Sequence, residues 1–486
     1  MIRLLWVFSG LILSALSQGQ TFLPLLGPLS VADESWGNSS PRMVLDSDGN
    51  PVVIMGAEGA LHCVTWNPLE ESFNAPVVVV PEGVFLSDAE GPRMAAQGDT
   101  IFVTFMVSGS WATGARGVVS FDGGVTWGLP FPLVSSDAMV DHFMPVPAFN
   151  EAGEPFVVLK VGNAPNVYEG LLRPEETIDG PWLEPVNTSL AAEGNAVCEC
   201  CPSAPFAAES RLWNLVRNNN ENLRDMGLLG SAPGDDDEWP IALDIDPTDW
   251  LIGGCPATGA TIDGPSANGE YWAAFMSAGG ETGQARVYWA RLGLAGDEPT
   301  WLGTGAVTEE QFGNSTQNHP SLSVEDNLIA CAWEQNSAGY DIQLSLSDAA
   351  GGGLIDNAVN LTQDQSGQHR QPTVVLDGGI LHLIWKNSFS GTVQYQRGQV
   401  ESHSGLGSAA MLETVMAGPG QVRIPAVAAW SQPVRWVAFD LMGRQQFTGS
   451  VSDSEVINLP SSAGLYLLTL EAADGSRASV LKVAVP

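Results

Sequence analysis

Pro320-Ser-Leu-Ser-Val324, a turn, and then Leu328-Ile-Ala-Cys-Ala-Trp333 is the stretch that decides the fold. It reads as a short strand opened by proline, a turn, and a second strand that is apolar throughout. The unit recurs along the chain. Pro41-Arg-Met-Val-Leu45 precedes Val52-Val-Ile-Met55, and Pro92-Arg-Met-Ala-Ala96 precedes Ile101-Phe-Val-Thr-Phe105. Pro145-Val-Pro-Ala-Phe149 goes with Phe156-Val-Val-Leu159, and Pro202-Ser-Ala-Pro-Phe206 with Leu212-Trp-Asn-Leu-Val216. Pro256-Ala-Thr-Gly-Ala260 with Tyr271-Trp-Ala-Ala-Phe275, and Pro372-Thr-Val-Val-Leu376 with Ile380-Leu-His-Leu-Ile-Trp385, complete the set.

The repeat prolines lie 51, 53, 57, 54, 64 and 52 residues apart. So even a period suits four-stranded blades around a channel and not a string of unrelated sandwiches. The expected fold is all-β: a seven-bladed β-propeller over residues 20–405, with six blades as the alternative, followed by a small β-sandwich. Val118-Val-Ser-Phe121, Gly170-Leu-Leu172, Arg286-Val-Tyr-Trp-Ala-Arg291 and Ile342-Gln-Leu-Ser-Leu346 are expected as further strands. The last unit runs short after Val393-Gln-Tyr-Gln396, and residues 21–32 are expected to supply its outer strand and close the ring.

Composition agrees with many short strands joined by turns: 54 Gly, 32 Pro and 16 Trp in 486 residues. Lys plus Arg is 19 and Asp plus Glu 55, a net charge of −36. A chain so acidic lacks the basic stripes that grip nucleic acid, and anionic membranes repel it. With 44% hydrophobic and only 15% charged residues it is not a disordered acidic tail. Motifs for nucleotide phosphates, zincin proteases and the serine-hydrolase elbow are all missing.

Residues 1–18 read as a signal peptide: Arg3, the apolar run Leu4 to Leu16, and small residues at Ala15-Leu16-Ser17. The mature chain is expected to be exported, without a transmembrane segment. From Ser408 to Pro486 there are six acids and five bases, so nearly all the negative charge lies upstream. This segment alternates at Val434-Arg-Trp-Val-Ala-Phe439 and turns at Asp474-Gly475 into Ser479-Val-Leu-Lys-Val-Ala-Val485. Residues 408–486 resemble the type A C-terminal sorting domain of cargo for the type IX secretion system. The likeness rests on Asp440-Leu-Met-Gly-Arg444, Leu459-Pro460, Gly464-Leu465-Tyr466 and a final strand with Lys482. It implies a Bacteroidetes-type bacterium, the outer-membrane secretion machinery as a partner, and a secreted or cell-surface location reached through the periplasm.

Ser120-Phe-Asp122-Gly-Gly124-Val-Thr126-Trp127 fits the Asp box, S-x-D-x-G-x-T-W, and a decayed copy runs from Ser347-Asp348 to Gly351. Over residues of about 30 to 400 the chain therefore resembles the sialidase-like superfamily of Asp-box (BNR-repeat) propellers. That resemblance implies a glycan as partner. In its catalytic members it implies three arginines on a substrate carboxylate, an Asp acid/base and a Tyr–Glu nucleophile pair. Arg42, Arg93 and Arg370 are the candidate carboxylate ligands, because each lies beside a repeat proline and guanidinium is a bidentate partner for carboxylate. The family's Arg-Ile-Pro order is absent; here the order is Pro41-Arg42. A non-enzymatic surface interaction protein is the alternative reading.

Residues just before the repeat prolines are expected to ring one mouth of the channel: Ser40, Gly91, Met144, Cys201, Cys255, His319 and Gln371. Cys198, Cys200 and His142 lie a few residues upstream. Thiolate, thioether and imidazole together suit a soft metal, copper or zinc. In an oxidising compartment the same cysteines can instead form disulfides, including a bridge from the Cys198–Cys201 cluster to Cys255 that staples two blades. Spacing does not choose between the two. Cys198-Glu-Cys-Cys-Pro202 with Gly254-Cys-Pro256 also resembles a subset of exported sialidase-like proteins. Cys63 and Cys331 sit inside strand patterns and are expected to be buried.

Overall fold

The computed structural model describes residues 21–32, 41–163, 166–192, 196–280, 283–308, 315–349 and 358–401. Beyond these it describes the strands 415–418, 421–423, 434–439, 445–451, 456–458, 464–472 and 478–485. The signal-peptide stretch, Ser40, Gly351, Asp440–Arg444 and Leu459-Pro460 lie outside the described residues. The chain divides into two compact units, Met1–His403 and Ser404–Pro486.

Seven antiparallel sheets make the first unit a seven-bladed β-propeller. The innermost strands, in blade order, are Arg42–Leu45, Arg93–Gln97, His142–Phe149, Ala204–Ala208, Ala260–Asp263, Thr316–Glu325 and His369–Asp377. Each lies against its counterpart in the next blade, and the seventh lies against the first. Closure uses the chain's own beginning: Thr21–Ser30 pairs with Thr392–Glu401 as the fourth strand of blade 7, Thr21 opposite Glu401 and Ser30 opposite Gln394. In blade 1 the outer position is shared by Ser72–Phe73 and Val77–Val80.

The second strand of each blade is sandwiched between neighbouring blades, so both its faces are covered and its sequence reads as a continuous apolar run. Seven apolar clusters fill the seven interfaces. Trp213 and Phe275 meet between blades 4 and 5, Trp272 and Trp333 between 5 and 6, and Leu344 and Trp385 between 6 and 7. Met55, Ile384 and Tyr395 close the ring between 7 and 1. Cys63 and Cys331 are fully buried among such residues, which pushes both thiols up to about 12.

The recurrent proline has a local cause in blades 3, 6 and 7. There the register slips between Phe143 and Val146, Asn318 and Ser321, and Arg370 and Thr373. Two residues of the inner strand face one on its partner, a β-bulge, and the bulge frees one N–H from the ladder. Proline, which has no N–H to give, is tolerated at that point. The residue before it takes a left-handed backbone: Met144 at φ 53°, His319 at 47° and Gln371 at 55°. The cost of that conformation in a non-glycine residue is about 1–3 kcal/mol each.

The second unit comprises two antiparallel sheets. One orders Val415–Gly418, Gln421–Arg423 and Val456–Asn458; the other orders Gln445–Val451, Val434–Phe439, Gly464–Ala472 and Ala478–Val485. Among the described residues, no helix is long and apolar enough to cross a membrane.

Candidate functional site

The inner strands enclose a cavity of about 740 Å³ on the propeller axis. Every blade contributes to its wall, through Arg42, Arg93, Pro147, Ser203, Thr258, His319 and Gln371 in blade order. His319 and Gln371 reach it because the bulge turns the residue before the proline inward. The titratable residues of the wall are Arg42, Asp88, Arg93 and His319, with Asp263 on blade 5.

Glu334 organises one side of this cluster. Its carboxylate is 2% exposed and accepts from Arg370 Nη2 at 3.1 Å, Arg370 Nε at 3.3 Å and the Gln371 backbone N–H at 3.1 Å. His319 Nε2 stands 3.9 Å from it. Burial works against the Arg370 cation, but the charge and hydrogen bonds of Glu334 outweigh it and raise its pKa. The Arg370 guanidinium also stacks on the Tyr340 ring, 4.4 Å from its centroid. Burial holds the His319 imidazole below its ordinary value; Glu334 and Asp88 oppose this, and Arg370 and Arg42 reinforce it. Asp88 lines the same cavity, 3.5 Å from Lys386 Nζ, and its backbone carbonyl accepts from Gln371 Nε2 at 3.1 Å.

Arg42 and Arg93 differ from Arg370. Arg42 Nη1 donates to the Pro41 carbonyl at 2.8 Å, and Arg93 Nη2 to that of Ala89. Neither has a carboxylate within ion-pair distance among the described residues. Burial depresses the Arg42 pKa to about 10, with the charge of Asp88 opposing. Two of the three sequence-selected arginines thus face the cavity without a salt-bridge partner, while the third is engaged by Glu334.

The cysteines lie at the start of blades 4 and 5 and form two bridges, Cys198–Cys201 and Cys200–Cys255. The second joins the two blades across a Cα separation of 6.1 Å. Cys200 is therefore the member of the cluster that reaches Cys255. The sulfurs of Cys198, Cys200 and Cys201 lie within 4.8 Å of one another, and no histidine joins them among the described residues. His142 lies elsewhere: its Nδ1–H faces the carbonyls of Val140 and Ala112 at 2.9 and 3.1 Å, beside a cavity of about 810 Å³ between blades 2 and 3. Met144 is buried in the blade 3 bulge. A copper or zinc site would need these sulfurs as thiolates, and here they are bonded in pairs.

The Ser120–Trp127 turn makes the hydrogen bonds its residue types allow. Asp122 accepts from Ser120 Oγ at 2.8 Å and from the Thr126 N–H and hydroxyl at 2.8 and 2.6 Å. Gly124, at φ +86°, donates its N–H to Ser120 Oγ at 2.9 Å, and the Trp127 indole donates to the Gly124 carbonyl at 3.1 Å. The turn is structural; none of its residues lines the axial cavity.

The structure adds charged residues that sequence reading passed over: Glu334, Lys386 and, in blade 3, Lys160. All three are the first polar residue after the apolar run of a second strand, in Trp333-Glu334, Trp385-Lys386 and Leu159-Lys160. In register they oppose Asn318, Arg370 and Phe143, each the residue just before a bulge. The polar end of each run is the signal that would have found them.

No protein family and no curated protein matches the sequence. Solved structures do resemble it. A Dyadobacter fermentans protein is 11% identical with a TM-score of 0.44, over 79% of this chain and 100% of its own. The polysaccharide lyase Uly1 is 12% identical with a TM-score of 0.45, over 80% of this chain and 94% of its own. Trypanosoma rangeli sialidase in complex with sialic acid is 9% identical with a TM-score of 0.42, over 96% of this chain and 88% of its own.

Proposed function

We propose that the chain is an exported or cell-surface glycan-binding propeller whose axial cavity takes a sugar bearing a carboxylate, with Arg42 and Arg93 as the anion's partners. The observation that carries this reading is the pair of cavity-lining guanidinium groups without a carboxylate of their own. Removing a guanidinium from water without a counter-anion is costly, so an anionic ligand is the natural complement. Apolar residues such as Phe149 and Phe206 also line the cavity, as is usual for a ligand site.

Binding is favoured over sialidase-type hydrolysis. That chemistry calls for a glutamate free to activate a tyrosine, whereas Glu334 is engaged by Arg370 and the Gln371 backbone, and Tyr340 lies under the Arg370 guanidinium. Export through the N-terminal signal and the C-terminal unit belongs to the same proposal, on the strength of the sequence features given above.

An array of sialylated, uronate-bearing and neutral glycans tests the reading with the purified protein. Retention of acidic glycans is expected, weakened about 10- to 100-fold in Arg42→Ala and Arg93→Ala, the value of a hydrogen-bonded charge contact. Equal retention of neutral glycans, or unchanged binding by both variants, refutes it. Release of sugar from a fluorogenic glycoside panel would replace binding with hydrolysis.

A further inference from the structure

The four bridged cysteines are arranged for more than stapling. Cys255 is exposed and Cys200 half-buried, so solvent thiols can reach the Cys200–Cys255 bridge. Cys198 and Cys201 are fully buried, so their bridge is shielded. The two bridges touch: Cys200 Sγ lies 3.6 Å from Cys198 Sγ, van der Waals contact for two sulfurs. A cation stands at the junction. Arg224 Nη1 is 3.1 Å from Cys198 Sγ, and Glu199 holds the guanidinium from its other side at 3.1 and 3.3 Å. A purely structural staple needs neither the contact between bridges nor a buried guanidinium against sulfur.

We propose that Cys198, Cys200, Cys201 and Cys255 form a thiol–disulfide exchange site whose co-reactant is an external low-molecular-weight thiol. The thiol, as thiolate, attacks Cys255 Sγ. A mixed disulfide forms on Cys255, the Cys200–Cys255 bond breaks, and Cys200 leaves as thiolate. Cys200 then attacks the sulfur it already touches, Cys198 Sγ. A Cys198–Cys200 bond forms, the Cys198–Cys201 bond breaks, and Cys201 leaves as thiolate and takes up the proton shed by the external thiol. A second thiol attacks the mixed disulfide, releases the oxidised thiol dimer and leaves Cys255 as a thiol. The protein has then gained two electrons and two protons, and the two thiols have been oxidised to one disulfide. During the internal step one negative charge is spread over three sulfurs. Arg224 sits against the middle one, where a fixed cation stabilises that charge.

The site adjoins the axial cavity. Pro202 and Ser203 follow Cys201 directly, and Ala257 and Thr258 lie two and three residues beyond Cys255; all four line its wall. Opening the outer bridge removes the covalent tie between blades 4 and 5 beside that wall, so a thiol pulse would act next to the ligand-binding mouth.

Samples of the full-length protein taken over time under limiting glutathione, acid-quenched, alkylated after denaturation and read by tandem mass spectrometry, test the proposal. The expected order is glutathione on Cys255 first, then alkylation at Cys201 together with a Cys198–Cys200 bridge. Cys63 and Cys331 are internal controls for a parallel alkylation under native conditions, because both are buried and become labelled there only if the propeller unfolds. Cys200→Ser should leave Cys201 unlabelled, since the relay sulfur is gone. Arg224→Lys should slow labelling of Cys201 about tenfold while leaving modification of Cys255 at the wild-type rate, a split that a merely structural role would not produce. The proposal is overturned if Cys201 is labelled as fast in Cys200→Ser as in wild type, or if Cys255 takes up glutathione and Cys201 stays unlabelled in the folded wild type.

Discussion

Lys160 offers the sharpest quantitative test of the packing. Its ammonium pairs with Glu169 inside the propeller, at side-chain exposures of 1% and 0%. Ser203 completes the network, donating to Glu169 Oε1 at 2.6 Å and accepting from Lys160 Nζ at 3.0 Å, and Asn214 Nδ2 donates to Glu169 Oε2 at 3.4 Å. Removing one partner of such a pair leaves an uncompensated buried charge, at a cost of about 3–5 kcal/mol. A propeller of roughly 380 residues unfolds with an entropy of about 2.1 cal/mol/K per residue, or about 0.8 kcal/mol/K in all. Lys160→Met should therefore lower Tm by about 4–6 °C. The double variant Lys160→Met with Glu169→Leu removes both charges and should recover at least half of that, the remainder reflecting the polar groups of Ser203 and Asn214 left without partners. Differential scanning calorimetry of the single and double variants decides the matter. A shift under about 1 °C for Lys160→Met, or a double variant as unstable as the two singles added together, would show that the pair is not buried as described.

Three further outcomes follow from the geometry. Gly398→Val places a Cβ 2.5 Å from the Leu23 carbonyl and 2.4 Å from the Phe22 ring, so it should unseat the closing strand, lower Tm and open residues 21–32 to limited proteolysis. Asp122→Ala should cost about 1 kcal/mol of propeller stability by calorimetry, as expected for lost turn hydrogen bonds. Burial acts against the Asp122 carboxylate, but hydrogen bonds from Thr126 and Ser120 prevail and hold its pKa below the usual range, so its contribution is present above pH of about 4 and vanishes as pH falls through the folded value. His319 is held neutral at pH 7; protonating it adds a cation to the cavity, so affinity for an acidic glycan should rise as pH falls through its lowered folded value, by calorimetric titration, and stay flat in His319→Ala.

The blades were legible because their second strands answer to one physical demand. Each is covered on both faces, so Leu328–Trp333 carries no polar interruption and Ile380–Trp385 only His382, and repetition at a near-constant interval exposes the period. Ring closure was legible too, because a seventh unit that stops after its third strand leaves an edge to be covered, and the apolar stretch at residues 21–32 was available to cover it. The disulfide pairing was not. Cys198, Cys200 and Cys201 lie within four positions, and which sulfur faces Cys255 depends on how the loop before Ala204–Ala208 turns, a matter of backbone geometry that residue types do not encode.

The mouth of the channel fell between these cases, and the reason is the bulge. Along a regular strand, side chains alternate, so a position's parity tells which way it points. An extra residue at Met144, His319 or Gln371 breaks that parity, and from there the inner strand runs out of step with the sequence pattern. The proline marks where this happens but not what the extra residue will meet. His319 meets Glu334 because the first polar residue after the apolar run of the second strand, read backwards across the ladder, stands opposite the residue preceding the bulge. Arg370 is drawn to the same carboxylate from the neighbouring blade and is thereby withdrawn from ligand duty, whereas Arg42 and Arg93 begin strands that pair in register from their first residue. Which arginines remain available for an anion thus follows from where the bulges fall. Replacing Glu334 with Gln would remove the charge that holds Arg370, and should free it as a third guanidinium for an acidic sugar, tightening binding measurably by calorimetric titration. Weaker binding in Glu334→Gln, with the fold intact by calorimetry, would show instead that Glu334 positions Arg370 for the ligand.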